Sequence, residues 1–518
     1  MKKIKILDTT LRDGTQSPDI SFSIRDKIEI AKALDDFGID YIEFGWPASN
    51  KKELDSFLEI SKIRLKKSKI VAFGSTRRMN IKANEDKNLN AIIKSKAPIA
   101  CIFGKTWLQH VKRQLKAKKD ENLKAIEESI RFLKRKGLKV FYDLEHFFDG
   151  FKDNREYALR CISSAREADC LIFCDTNGGT LPTEVRKIIG DVITFLKKEN
   201  IKSETGCHFH NDSGCAVANS LIAVELGITQ IHGTINGFGE RTGNTDLCQL
   251  IPNLVLKKKF PIQVKLKKLT YLSNLVYTLA NIKPSTHQPY VGKNAFSHKG
   301  GVHVDAISKG ASYEHIKPEL VGNKRNIILS DLSGKANVVE VLKKFNLKIN
   351  KNHPNVTKIL NKVEEMERKG YNIGSLPAEQ FLLKEEFFGK RGKIFEIKTW
   401  KILSEQRNGE FSECIITGTV DGKNREVVAP VNGGPVDAAY SALKKMIATN
   451  YKEIKKVSLI NYKVMIAEDK GAESSVRVYI EFKNGKEEFG TVGVSTNILE
   501  ASLEAIEKGF RYFLLRNT

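Results

Sequence analysis

Two histidines two residues apart, His208 and His210, lie in the segment Gly206-Cys207-His208-Phe209-His210-Asn211-Asp212. The segment reads as a β-strand, and strand side chains at i and i+2 leave the same face. Both imidazoles then aim at one point, which is half of a divalent-metal site. A second dense stretch is Asp8-Thr9-Thr10-Leu11-Arg12-Asp13-Gly14-Thr15-Gln16. Asp13 with His208 and His210 would supply one carboxylate and two imidazoles, leaving positions open for a substrate. Facial sets of this kind also serve non-haem iron oxygenases, but those stand on a β-sandwich and take a second His from far along the chain. A Lewis acid (Zn²⁺, Mn²⁺ or Mg²⁺) that polarises a carbonyl is the better expectation. Arg12 places a permanent cation beside that ion, where a developing enolate oxygen could be stabilised. The plainer reading of Arg12 and Asp13 is a surface pair at a turn.

Other candidates stand nearby in type. Thr176, in Asp175-Thr176-Asn177-Gly178-Gly179, offers a hydroxyl to a substrate carboxylate, or else caps the next helix. Glu145 either orients substrate and relays protons or only pairs with a cation. Asn244, in the Gly-rich loop Gly237-Phe238-Gly239-Glu240-Arg241-Thr242-Gly243-Asn244, either reaches the metal or caps a helix.

These groups need a scaffold that brings strand ends together. Apolar strand candidates fall at Ile4–Asp8, Tyr41–Gly45, Ile70–Gly74, Ile99–Gly104, Lys139–Glu145, Cys170–Asp175, Gly206–His210 and Gln230–Ile235. Helical patterns alternate with them. The clearest starts at Ser23, has apolar residues at 24, 28, 31 and 34, and closes at Gly38. Others fall near 50–66, 85–95, 120–136, 153–168, 182–199, 214–226 and 243–257. Eight β/α units in about 255 residues predict a (β/α)8 TIM barrel, class α/β. A doubly wound sheet would carry fewer strands and a Gly-rich phosphate turn after the first. In a barrel, Arg12, Asp13, Glu43, Glu145, Asp175, Thr176, Asn177, His208, His210 and Asn236 meet at one mouth.

We expect three parts: a catalytic barrel over 1–260, helical linker subdomains over 261–385, and an α+β module over 390–518. The last shows two β-β-β-α halves, a sign of internal duplication suited to ligand sensing or dimerisation. The net charge of +24 in 518 residues raises nucleic acid as a partner. However, the lysines are spread over helix faces, without zinc-finger, RNP-like or aromatic–basic patterns, so no nucleic acid is expected. No apolar run approaches the ~18 residues of a membrane span, and no signal peptide opens the chain. A cytoplasmic protein with buried free thiols and no disulfide framework is expected.

The Asp-Thr-Thr-Leu-Arg-Asp-Gly-Thr-Gln opening, the His-x-His-Asn-Asp strand and Gly-Glu-Arg-x-Gly-Asn resemble a family of metal-dependent acyltransferases and lyases on this barrel. It includes the 2-isopropylmalate, homocitrate and citramalate synthases and the hydroxymethylglutaryl-CoA lyases. Gly300-Gly301-Val302-His303 and the terminal module also look like the synthase branch; lyases lack that module. Within it, Glu43-Phe44-Gly45-Trp46-Pro47-Ala48-Ser49-Asn50 and Glu145-His146-Phe147-Phe148-Asp149-Gly150 look like the long citramalate synthases. The isopropylmalate enzymes, with Gly-Phe-Pro at the first place, are the alternative.

The resemblance implies condensation of acetyl-CoA with pyruvate to (R)-citramalate, then thioester hydrolysis, feeding isoleucine biosynthesis. By its pattern Asp13, His208 and His210 hold the metal, to which Asn244 is added from the loop reading as a ligand directly or through water. Arg12, Gln16, Thr176 and Tyr313 contact substrate, Thr176 through the pyruvate carboxylate, and Arg12 and Glu145 serve catalysis. His303 and Tyr313 match linker residues that reach into the neighbouring protomer's site. His303 is the acid/base or hydrolytic candidate, or else a surface-loop histidine. The terminal module resembles a regulatory domain, implying a homodimer with isoleucine as feedback effector. Two departures stand out. Asp143 sits where some citramalate synthases carry a Tyr that touches pyruvate, so that hydroxyl comes from Tyr142 or is absent. Lys299 stands where the isopropylmalate branch usually has an acid.

Overall fold

Eight short apolar runs become parallel strands in the computed structural model, which describes residues 3–406, 410–468, 474–485 and 487–517. They are β1 (Lys5–Asp8), β2 (Tyr41–Gly45), β3 (Lys69–Ser75), β4 (Ile99–Lys105), β5 (Lys139–Glu145), β6 (Cys170–Asp175), β7 (Glu204–Phe209) and β8 (Gln230–Gly233). They pair in sequence order, and β8 returns to β1, closing the expected barrel. The period of two sorts their side chains. Cys170, Ile172 and Cys174 join Leu7, Val71 and Phe141 in an inner core, whereas Leu171 and Phe173 pack outward against helices. All eight cysteines are free, and all but Cys215 are buried.

Helices α1 (Ile24–Phe37), α2 (Lys51–Ile60), α3 (Lys87–Lys94), α4 (Leu108–Arg113), α5 (Lys119–Arg135) and α6 (Phe147–Asp153) follow the first five strands. Then come α7 (Arg155–Ser164), α8 (Pro182–Lys198), α9 (Ala216–Glu225), α10 (Leu247–Pro252) and α11 (Leu269–Leu279). Helix α1 starts with a capping box between Ser23 and Asp26 and stops at left-handed Gly38, φ 109°. A Cβ at Gly38 would meet the Gln263 carbonyl at 2.7 Å, so glycine is required there on two counts.

The structure departs from the sequence expectation locally. Helices α4 and α6 were not anticipated. Strand β7 ends at Phe209, and His210 keeps its direction through a single bridge to Asn244. Strand β8 ends at Gly233 and passes into a turn in which Asn236 is left-handed, φ 65°. The last barrel helix starts at Leu247, not 243, because the Asp246 side chain accepts from the Cys248 N–H and caps it there.

The chain divides into two compact units, Met1–Phe296 with Ile316–Lys324 and Ser297–His315 with Arg325–Thr518. The second begins with a two-stranded sheet of β9 (Ser297–His298) and β10 (Asn326–Ile327). Helices α12 (Gly301–Ser308), α13 (Lys335–Lys343), α14 (Pro354–Arg368) and α15 (Pro377–Phe388) accompany it. Next come antiparallel β11 (Phe395–Gln406), β12 (Glu410–Val420) and β13 (Lys423–Val431), then α16 (Pro435–Ile447). The order repeats as β14 (Val457–Glu468), β15 (Ser475–Asn484), β16 (Glu487–Ser495) and α17 (Ile498–Asn517). Ile416, Leu443, Ile480, Phe482 and Phe510 from both halves share one core. The alternating pattern over 486–494 predicts a last strand opening at Lys486, a residue that lies outside those described. No helix among the described residues is long and apolar enough to cross a membrane.

Candidate active site

The turn after β1 folds back through Arg12 and Gly14 N–H groups on the Thr9 carbonyl, both at 3.1 Å. Thr10 fastens it, donating to buried Asp8 while its hydroxyl accepts from the Ile235 N–H beyond β8 at 2.8 Å. This brings Asp13 over the end of β7. Asp13 Oδ2 lies 3.1 Å from His208 Nε2 and 3.8 Å from His210 Nε2, and the two Nε2 atoms are 3.3 Å apart. The three residues are 2%, 5% and 6% exposed.

A buried carboxylate oxygen with no hydrogen-bond partner, faced by two ring nitrogens, is a donor set that could hold a divalent cation. The residues therefore fit the expected metal. Burial alone would raise the Asp13 carboxyl, but Arg12 and the two histidines hold it well below the usual carboxylate range. Burial and His208 push His210 down to about 3, so its ring is neutral at pH 7, as a ligand must be.

Arg12 is fixed from three sides. Its Nε donates to Glu43 Oε2 at 2.5 Å, its Nη1 lies 3.4 Å from Asp13 Oδ2, and its guanidinium sits 3.9 Å from the Phe73 ring centroid. Burial opposes its charge, yet Asp13 and Glu43 more than offset this and keep it protonated. The plain surface-pair reading is excluded, because Asp13 and Glu43 are buried.

Thr176 does not cap α8, whose cap position is Leu181. Its hydroxyl accepts from the His146 N–H at 2.8 Å, which leaves its proton free to donate. Asn244 does not cap α10. Its Nδ2 donates to the Phe238 carbonyl at 3.1 Å, and its Oδ1 is buried without a partner. Gly239 makes room for it, since a Cβ there would fall 2.2 Å from that Nδ2. Glu145 pairs with Lys105 at 2.5 Å and is partly buried. Gln16 is exposed on the turn after Asp13. Asn236 turns away from the mouth, bonding Ser273 on α11. His303 and Tyr313 lie in the second unit, both exposed, with their rings stacked at 4.3 Å. Lys299, also in that unit, pairs with Asp331 at 3.4 Å.

With this geometry in hand, residues 3–276 match the HMGL-like family model. The chain belongs to the HMGL-like family. Residues 290–370 match a homocitrate synthase post-HMGL domain-like model, and residues 379–514 match the LeuA allosteric (dimerisation) domain. A curated relative from Geobacter sulfurreducens, (R)-citramalate synthase, is 45% identical over 99% of this chain and 98% of its own length. The (R)-citramalate synthase of Aquifex aeolicus is 46% identical over 100% of this chain and 98% of its own. A more distant relative, the 2-isopropylmalate synthase of Methanocaldococcus jannaschii, is 31% identical over 99% of this chain and 95% of its own.

This HMGL-like barrel also holds a second buried group that sequence reading left unassembled. Glu43, Cys101 and Asp143 converge beneath Arg12, and Cys101 Sγ donates to Asp143 Oδ1 at 3.3 Å. Burial and the nearby Glu43 push Asp143 up to about 7. The alternation along β5 was the available signal, since it places 141, 143 and 145 on one face. The same alternation corrects Tyr142: it is buried in the outer layer, where a Cβ on Gly104 would meet its hydroxyl at 2.3 Å. It offers nothing to a ligand at the mouth.

Proposed function

We propose that this chain is an (R)-citramalate synthase. It joins the acetyl methyl carbon of acetyl-CoA to the keto carbon of pyruvate, then hydrolyses the thioester to release citramalate and CoA. The observation that carries this reading is the convergence of Asp13, His208 and His210 beside a buried Arg12. The full-length relatives at 45% and 46% identity support the choice of substrates.

Asp13, His208 and His210, with Asn244, would hold a divalent ion (Mn²⁺, Mg²⁺ or Zn²⁺). Once bound, it supplies Lewis-acid polarisation of the keto group. Thr176 donates its free proton to the pyruvate carboxylate, and Gln16 contacts substrate from the rim. Arg12 stabilises negative charge as it develops on oxygen, pre-aimed by Glu43 and Phe73 so that no reorganisation is needed. Glu145, beside Lys105, assists proton transfer. His303, stacked on Tyr313, is the acid/base group, and both serve the neighbouring protomer's site in a homodimer. In this reading residues 1–260 catalyse, 261–385 link, and 390–518 dimerise and sense isoleucine. Cytoplasmic placement follows from the same biosynthetic role.

Release of CoA thiol with pyruvate and with 2-oxoisovalerate, followed by identification of the acid product, tests the assignment. We expect pyruvate to be preferred by at least about tenfold in kcat/KM, the scale at which a pocket discriminates added methyl groups. Faster turnover of the branched acid would make this a 2-isopropylmalate synthase.

A further inference from the structure

Thr176 and His146 meet on the rim between β5 and β6. The His146 N–H donates to Thr176 Oγ1 at 2.8 Å, and Arg241 Nη2 donates to the Thr176 carbonyl at 2.9 Å. A hydroxyl has a single proton to give. With one lone pair taken by His146, the Thr176 hydroxyl acts as a donor towards an arriving group, the polarity a carboxylate requires.

The residue that gives this N–H is left-handed: His146 has φ 53° and ψ 38° at the junction of β5 and α6. This backbone region is unfavourable for a residue with a Cβ. The His146 ring is positioned to offset the cost. Its Nδ1 lies 3.4 Å from Asp149 Oδ2, and Asp149 is itself held by Asn177 Nδ2 at 2.9 Å. The ring also packs edge-on to His110, centroids 4.4 Å apart, and 5.7 Å from Trp107.

We propose that His146 is a positioning residue for the substrate carboxylate: its ring, held by Asp149 and His110, keeps its backbone left-handed so that its N–H orients the Thr176 hydroxyl. The inference rests on Thr176 being the carboxylate donor, as proposed above. The side chain acts through the backbone and performs no chemistry of its own.

Steady-state kinetics of the full chain, with pyruvate varied at saturating acetyl-CoA, separate the possibilities. His146→Ala removes the ring but keeps a Cβ, and raises KM for pyruvate about five- to tenfold, the weight of a left-handed residue with a Cβ. Its kcat changes by less than about twofold, since the reacting groups are untouched. His146→Gly also removes the ring but adopts the left-handed region freely, so KM returns to within about twofold of the parent. His146→Asn, the other residue at home there, restores KM in the same way, and His146→Ser, which like alanine keeps a Cβ without the ring, shows the loss if the alanine variant folds poorly. Thr176→Val raises KM at least as far as His146→Ala. Equal losses in the alanine, glycine and asparagine variants, or a loss carried by kcat, would overturn the inference and leave the Thr176 reading intact. An unchanged KM in Thr176→Val would overturn both.

Discussion

Arg12 and Glu43 form a buried ion pair across the mouth of the barrel, Nε to Oε2 at 2.5 Å, with Glu43 wholly shielded from solvent. The pair joins the turn after β1 to strand β2. It holds the guanidinium beside Asp13 while Phe73 closes one face. The positive charge therefore stands at one side of the Asp13–His208–His210 cluster before any substrate arrives.

Arg12→Lys loses the planar fork, so one ammonium cannot meet Glu43 and the reacting oxygen together. We expect kcat to fall about 100-fold, the scale of removing one preorganised donor. Glu43→Gln keeps the shape but leaves a buried cation short of its counter-charge, which costs about 3–5 kcal/mol of stability. Stopped assays for kcat and urea unfolding for stability check the two variants.

Asp143 makes stability depend on pH. Burial and Glu43 push its carboxyl up to about 7 in the folded protein, against about 3.9 when unfolded. The folded chain thus holds a proton that the unfolded chain has released above about pH 4. Stability from this group is complete below that pH and is lost as pH rises through about 7. Asp143→Asn removes the ionisation, so its urea midpoint falls less than the parent's between about pH 5 and about pH 8. Identical pH slopes would show that Asp143 does not carry this proton.

Isoleucine added to the full chain should lower the rate of CoA release with pyruvate. The match of residues 379–514 to the LeuA allosteric (dimerisation) domain motivates the experiment. An unchanged rate at millimolar isoleucine would remove that effector from the account.

Much of the scaffold was legible because buried parallel strands read as continuous apolar runs. The expected limits of β2, β5 and β6 coincide with those observed, and those of the other barrel strands differ by one or two residues. Helices α4 and α6 escaped notice for a physical reason. They are six and seven residues long, neither has a side-chain cap, and α6 starts from left-handed His146. Phe147, Phe148 and Phe151 are buried, so tertiary packing rather than local propensity makes α6 a helix. At the site, His208 and His210 announced themselves by spacing. The Arg12–Glu43 pair and the Cys101–Asp143 contact could not, because each joins residues far apart in the chain that only the closed barrel brings together. Thr176 stood open between helix cap and substrate ligand, and the structure removes only the first, because Leu181 holds the cap position.

Asp13, His208 and His210 are expected to bind one cation together. Titration of Mn²⁺ into metal-stripped full-length protein, followed by calorimetry, measures this directly. We expect one tight site per chain in the parent and loss of that site in each of Asp13→Asn, His208→Ala and His210→Ala. Unchanged Mn²⁺ affinity in any one of these variants would contradict the account.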